Sequence, residues 1–421
     1  MTHSLRSGQK IAIVGAGFTG LSAALALSQN HKVTLFEATN ELGGLAAAVK
    51  LPGCDWFIEK HYHHWFTNDE AALGLIKQLG LENKLLFPKT LTSLFYHGKI
   101  YPFNSPSQIL SFNPLAMIDR LRLGLVSLYL KLLPKSLAVD LEKYKAGDWL
   151  KKYFGEKVYG IVWKPLLEGK FGKYADAVNM AWFWARIKKR TMLLGYLEGG
   201  YQVLIDAIKN KIKKNGGKIL LATPFDSAKT SSFDKVIVTT PSPIFLKLYP
   251  ELPENYKKRL TSIPHLHALN LLLVTREKIL KDEYWLNIND RKFPFIAVVQ
   301  QTNLVDAKHY GGKHLTWIGN YLPEGHPYLK MNKEELFKLY LPYLKKINPS
   351  FNFTLNAIRF ELFLGPFAQP VFPLNYSKII PGFKTPIPNV YLANMDMVYP
   401  WDRGTNYAIE LGEEIANLVL H

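Results

Sequence analysis

Residues Lys10 to Val14 (Lys-Ile-Ala-Ile-Val) form a short apolar run that ends at once in Gly15-Ala16-Gly17-Phe18-Thr19-Gly20. Each glycine in that spacing has a steric reason. Gly15 permits a tight turn, Gly17 lets the backbone approach a pyrophosphate, and Gly20 lets a helix pack closely on the strand before it. The small-residue stretch Leu21 to Leu27 follows, with Leu21, Ala24, Leu25 and Ser28 at the spacing of one helical face. Lys32 to Glu37 is β-branched and aromatic, and predicts a second buried strand. A strand–helix–strand unit of this kind implies a parallel sheet with helices packed on it. The free N–H groups and positive dipole end at Thr19 to Leu21 suit phosphates. Glu37 lies at about the 20-residue offset of an acid that holds ribose hydroxyls, and disfavours a 2′-phosphate. FAD or NAD is therefore expected before NADP.

A second glycine pair decides between them. Asn40-Glu41-Leu42-Gly43-Gly44-Leu45-Ala46 supplies another turn, which would let the chain follow a cofactor as long as FAD. Residues 11 to 46 resemble the N-terminal signature of the flavoprotein superfamily of amine oxidases, protoporphyrinogen oxidases, phytoene desaturases and UDP-galactopyranose mutases. The resemblance implies FAD contacts at Gly15, Ala16, Gly17, Phe18, Thr19, Gly20, Glu37, Ala38, Gly43, Gly44, Leu45 and Ala46. Three later segments are similar to the same superfamily. Gly199 to Ile208 resembles the segment before the second part of its FAD domain. Thr223-Pro224-Phe225 resembles the Thr-x-Val whose backbone meets the adenine, with Phe225 replacing Val, and Thr239-Thr240-Pro241 resembles the strand end that follows. Asn389 to Asp396 resembles the closing motif, in which Asp396 binds ribitol or pyrophosphate, although Ala-Asn-Met-Asp replaces the usual Ala-Gly-Asp. Arg403-Gly404-Thr405-Asn406 then opens the last helix, whose N-terminus would stabilise negative charge on a reduced flavin. Thr405 also reads simply as a cap, and Asp402 and Arg403 as a surface pair.

The segment Glu59-Lys60-His61-Tyr62-His63-His64-Trp65-Phe66 is the most unusual in the chain. Read as a strand, it puts His61 and His63 on one face and His64 on the other. No ligand spacing completes a metal set, so no metal is expected. The stretch resembles the Gly-x-His-x-Phe-His segment of UDP-galactopyranose mutases, in which a histidine lies near the isoalloxazine. His63 takes that position here, His61 lies beside it, and Phe66 replaces the mutase's second histidine. The resemblance makes His63 the candidate catalytic residue, as proton carrier or flavin tuner. The other reading is aromatic and histidine core.

Between Trp149 and Arg190 the chain is dense in aromatic residues, a composition that builds core or an apolar cavity. Lys164, Lys170 and Arg186 within it are candidates for holding an anionic head group, or surface cations lying over an apolar face. The expected fold is α/β: a Rossmann-type FAD-binding domain (1–90, 196–261 and 376–421) interleaved with an α+β substrate domain (91–195 and 262–375). No second Gly-x-Gly-x-x-Gly follows a strand, so electrons are expected to enter from the substrate and leave to oxygen, a quinone or another acceptor. The expected activity is FAD-dependent oxidation of an apolar or amphipathic small molecule or lipid, by hydride transfer to flavin N5. The alternative is a mutase-like isomerase acting on a nucleotide sugar.

Composition bears on partners. The 421 residues carry 52 Lys+Arg against 34 Asp+Glu, a net charge of +18. Nothing resembles a nucleic-acid-reading element, so the charge points to an anionic substrate, an anionic membrane surface or a solvated lysine-rich exterior. Arg120, Arg122, Lys131 and Lys135, on a Leu-rich stretch, are the candidate membrane contacts. The residues from Met1 to Lys10 carry no signal-peptide pattern, and a single Cys54 excludes an internal disulfide. A cytoplasmic enzyme, held peripherally at the inner face of a membrane, is the expectation.

Overall fold

The computed structural model describes residues 8–420. Met1–Ser7, most of the segment read as lacking a signal sequence, lie outside the described residues. The principal elements run β1 (Lys10–Val14), α1 (Phe18–Leu27), β2 (Lys32–Phe36), α2 (Glu70–Gln78), β3 (Leu91–Tyr96), β4 (Lys99–Pro102), α3 (Met117–Leu132), α4 (Ala146–Phe154), α5 (Lys164–Phe171) and α6 (Met180–Lys189). They continue with α7 (Tyr201–Lys214), β5 (Lys218–Leu220), β6 (Lys235–Val238), β7 (His265–Thr275), β8 (Glu283–Ile288), β9 (Ala297–Gln300) and β10 (His314–Pro323). The last are α8 (Lys333–Ile347), β11 (Ala357–Pro370), β12 (Val390–Leu392) and α9 (Thr405–Leu420).

The first sheet is five-stranded and parallel, in the order β5-β2-β1-β6-β12. Its strands come from three distant parts of the sequence. The central strand β1 is buried on both faces from Ile11 to Val14, which is why it reads as a continuous apolar run. On either side of β1 the strand order reverses, and in such sheets ligands bind beyond the carboxyl ends of the strands at that point. Helices α1 and α9 pack against each other. Their approach is close enough that a Cβ on Gly412 would lie 2.4 Å from the Thr19 carbonyl.

The second sheet has seven strands in the order β11-β7-β10-β9-β8-β3-β4. It is mixed, antiparallel except where β8 runs parallel to β3. β7 is buried along nearly its whole length and sits between β11 and β10, so it alternates less than a half-exposed strand would. The aromatic stretch from Trp149 to Trp184 builds a separate core with Phe154, Trp163, Phe171 and Phe183 in edge contacts, so most of its rings are packing.

Candidate functional site

The glycine turns behave as the spacing requires, each for a measurable steric reason. Gly15 adopts φ +100°, and its N–H donates to the Phe36 carbonyl at 2.8 Å. A Cβ on Gly20 would lie 1.9 Å from the Gly15 carbonyl oxygen, so only glycine lets α1 start this close to β1. A Cβ on Gly17 would meet nothing within 4 Å among the described residues. That position therefore faces open space at the sheet's carboxyl edge. The second turn lies against the first: Gly43 N donates to the Ala16 carbonyl at 2.8 Å, and a Cβ on Gly44 would come 3.1 Å from the Gly17 Cα. Gly43 and Gly44 both have positive φ, which allows this approach. Leu45 and Ala46 continue the turn, with Ala46 buried.

Glu37 supports the first turn from β2. Its Oε2 accepts from Ala16 N (2.9 Å) and its Oε1 from Thr39 N (2.8 Å), while Ala38 between them is exposed. Phe225 buries its ring against Phe36 and Phe233, which leaves its main chain as the part that can meet a ligand. Thr240 follows β6 beside Gly15, and its buried Oγ1 has no hydrogen-bond partner among the described residues. Helix α1 begins at Phe18 and Thr19 with no side-chain cap and no acid in its first turn. An open face at Gly17, an orphaned hydroxyl at Thr240 and an uncapped helix N-terminus fit the pyrophosphate of a dinucleotide cofactor.

Around the last helix, several expected ligand contacts have internal partners. The Asp396 carboxylate is engaged by the Ser242 hydroxyl and by His265 Nε2 (2.7 Å). Thr405 Oγ1 accepts from the Trp65 indole at 2.9 Å, and Asn406 Oδ1 from Ala72 N at 3.0 Å. Asn406 thereby ties the start of α2 to α9. Gly404 precedes α9 with open space around its Cα apart from Tyr407. Asp402 and Arg403 do not form the surface pair that adjacency suggests. The Asp402 carboxylate accepts instead from Lys170 Nζ (2.9 Å), Arg186 (2.5 Å) and the Trp182 indole (3.1 Å). Arg403 donates to Gln369 Oε1 (3.0 Å) and lies 4.7 Å over the Tyr321 ring. Lys170 reaches the same ring at 5.5 Å. Burial pushes Lys170 well below the usual lysine range, ahead of the opposing charge of Asp402. Lys164 is outside this cluster, half exposed and 4.0 Å from Glu168 one helical turn on.

The histidine segment is not the strand its alternation implied. Ile58–Glu59 and Trp65–Phe66 are two-residue strands, and residues 61–64 form an irregular loop between them. The three imidazoles point to different partners, because loop backbone has no fixed period. His61 is buried, and its Nδ1 accepts from Asn270 Nδ2 at 2.7 Å, which leaves the proton on Nε2. His63 Nδ1 lies 2.6 Å from the His61 carbonyl oxygen and must donate to it, so its Nε2 is an acceptor. His64 Nδ1 pairs with the Tyr284 hydroxyl at 3.1 Å. Burial lowers all three, His61 and His64 to about 3 and His63 to about 4, so each is neutral near pH 7. The charge of Arg403 contributes at His61 and His63, and it acts against the rise of Tyr62 to about 12. The loop and the ionic cluster are thus electrostatic neighbours. Among the described residues, no three His, Cys, Asp or Glu side chains gather as a metal set.

Sequence reasoning missed Asp402 as the hub of the cluster, and missed Glu59. The Glu59 carboxylate is buried, accepts from Tyr201 N and the Tyr196 hydroxyl (both 2.8 Å), and is raised to about 7 by burial. Its position at the front of the histidine segment was the available signal.

A parallel sheet with a glycine-lined crevice at its switch point defines a dinucleotide-binding protein. The chain belongs to the flavin-containing amine oxidoreductase family, whose model matches residues 18–420, and the cofactor of that family is FAD. Coproporphyrinogen III oxidase of Staphylococcus aureus is 26% identical over 298 residues, 58% of this chain and 63% of that one. The match therefore spans less than two thirds of that relative. Among solved structures, a putative protoporphyrinogen oxidase from Exiguobacterium is similar with a TM-score of 0.74 at 18% identity, covering 98% of this chain and 99% of the other. Reduced UDP-galactopyranose mutase is similar with a TM-score of 0.73 at 15% identity, covering 98% and 95%.

Proposed function

We propose that this protein is an FAD-dependent oxidoreductase acting on an amphipathic substrate that carries an anionic group, a porphyrinogen-like molecule being the leading candidate. The observation that carries the substrate class is the ionic cluster, in which Lys170 and Arg186 share the single carboxylate of Asp402 while Arg403 lies beside them. An anion entering here gains from the uncompensated cations and opposes the lowering that burial imposes on Lys170. The relative acting on coproporphyrinogen supports the same class. Residues 1–90, 196–261 and 376–421 would form the FAD-binding part, with the remainder enclosing the substrate.

The chemistry that FAD supplies when bound is acceptance of a hydride at N5. The chain's own residues would hold the cofactor and manage charge and water. The main chain at Gly15–Gly20, the α1 N-terminus and Thr240 would meet the pyrophosphate, and Glu37 the ribose. Neutral His63, with Nε2 free to accept, would take a proton from the substrate, and the His61 carbonyl would hold its ring in that tautomer. The surrounding aromatic core excludes water from the reacting atoms. We further infer that the protein associates peripherally with an anionic membrane surface, from which such a substrate would come.

Purified protein should carry flavin absorbance, and a porphyrinogen should bleach it anaerobically without added reductant. Turnover of a nucleotide sugar, only after dithionite reduction, would replace this reading with the isomerase. Protein that neither contains nor binds FAD would end it.

A further inference from the structure

Helix α3 is apolar on two faces. One is buried, with Leu123 and Leu130 in the aromatic core and Val126 packed against them. On the other, Ile118, Leu121, Leu125, Leu128 and Leu132 stand out at alternating steps of three and four, from 47% exposed at Leu121 to 72% at Ile118. Single exposed leucines are ordinary, but a continuous row on one helix face marks a surface that meets a partner. At about 1.5 Å per residue, the row from Ile118 to Leu132 runs about 21 Å.

The cations first read as membrane contacts are not on this face. Arg120 donates to the carbonyls of Leu115 (2.7 Å) and Leu110 (2.8 Å), and Arg122 to those of Tyr153 (2.7 Å) and Lys152 (2.9 Å). Lys131 caps the end of α6 through the carbonyls of Lys188 (2.8 Å) and Arg190 (2.5 Å). Lys135 lies over the Trp401 ring at 5.5 Å. Positive charge is supplied instead by a groove of about 800 Å³ beside the row, which shares Leu125 with it and is also lined by Tyr129 of α3. Lys143, Lys145 and Lys152 line that groove together with the aromatic rings of Tyr144 and Trp149 and one acid, Asp148. Lys143 also pairs with Asp140 at 2.5 Å.

We propose that the outer face of α3, with the lysine-lined groove beside it, is the surface that docks on an anionic phospholipid leaflet. This rests on the peripheral-membrane reading above and names where the contact is made. The leucine row would enter the acyl boundary, with lipid headgroups at the lysines and the aromatic rings at the level between them. Among the described residues no helix is long and apolar enough to cross a membrane, so α3 lies along the surface. A second copy of the chain is the poorer occupant. A two-fold contact sets the same patch against itself, and lysine groove would face lysine groove.

The test is sedimentation of the FAD-loaded full chain with vesicles of phosphatidylcholine, alone or mixed with phosphatidylglycerol. Wild type should bind the mixed vesicles at least about tenfold better than phosphatidylcholine alone, and less well at high salt. Leu125→Glu with Leu132→Glu, at exposed positions, should lose about tenfold or more of that binding while keeping flavin content and melting temperature. Lys145→Glu with Lys152→Glu should lose about tenfold on the mixed vesicles alone. If wild type binds and the variants bind equally well, this surface is wrong while the membrane reading stands. If wild type binds neither vesicle at low salt, both fail. A concentration-dependent dimer in ultracentrifugation, abolished by the leucine variants, would assign the face to a second copy and overturn the proposal.

Discussion

The glycine crevice above β1 and the ionic cluster beside α9 differ in what part of the chain builds them. In the crevice the main chain is what a cofactor would meet, and Gly15 to Gly20 and Gly43–Gly44 lie within 30 residues of one another. In the cluster charged side chains would do it, Lys170 of α5 and Arg186 of α6 meeting Asp402 at the entry to α9 from more than 200 positions away. A backbone site can be built from local sequence because the absence of a Cβ is a local property. A side-chain site depends on where distant segments pack.

Two substitutions in the crevice should split folding from binding, and they carry the largest expected effects. Gly20→Val collides with the Gly15 carbonyl and should destabilise the fold by about 3 kcal/mol or more, read as a fall in melting temperature and loss of soluble protein. The Cβ of Gly17→Val meets no protein atom within 4 Å among the described residues, so the variant should fold normally yet lose FAD. Flavin content and the thermal melt measure both, and a Gly17→Val protein that retains FAD would break the assignment of the crevice.

In the cluster, Asp402→Asn leaves buried Lys170 without its counter-charge and should cost about 3 kcal/mol, a cost that Lys170→Met in the same chain should relieve. Chemical denaturation of the two variants checks this. If Asp402→Asn is neutral, the cluster is not the tightly coupled unit its hydrogen bonds describe. His63→Gln should leave stability and FAD content nearly unchanged and lower kcat about 100-fold with little change in KM, as removal of a proton acceptor does.

The last effect is one of pH, and it has two signs. His61, His63 and His64 are held at about 3 to 4 by burial, whereas in the unfolded chain they bind protons near 6.5. Between those values the unfolded state binds more protons, so stability falls as pH falls, by about 1.4 kcal/mol per unit for each histidine. Glu59 works in the opposite direction. Raised to about 7 by burial, its contribution is full below about pH 4.5 and is lost as pH rises through 7. Glu59→Gln should therefore remove the opposing term and steepen the acid-side loss of stability between pH 6.5 and 5, which melts across that range would show.

Much of the α/β framework was legible in advance. The bounds of β1 coincide with its apolar run, α1 ends at Leu27 as its small-residue stretch does, and β2 stops one residue short of Glu37, because strand and helix periods are written in neighbouring residues. The histidine segment was misread for the opposite reason. Its alternation implied a strand, but the chain between Glu59 and Trp65 is a loop; Asn270 and Tyr284, both far outside the segment, orient His61 and His64, and the His61 carbonyl within it orients His63. Arg120, Arg122 and Lys131, the candidate membrane contacts, each donate to main-chain carbonyls, most of them at helix ends, which attract cations whatever their distance in sequence.

Sequence alone determined the FAD-type crevice, since glycine spacing and an acid at the end of β2 act through local geometry. It also determined the excess of positive charge, which is a sum over residues. Only the tertiary structure decided that Asp402 gathers Lys170 and Arg186, that Asp396 pairs with Ser242 and His265, and that the outward face of α3 is leucine while its arginines reach main-chain carbonyls to either side. Those outcomes depend on which polar group finds which partner, and a charge or amide that folding buries must be satisfied by whatever lies within about 3 Å.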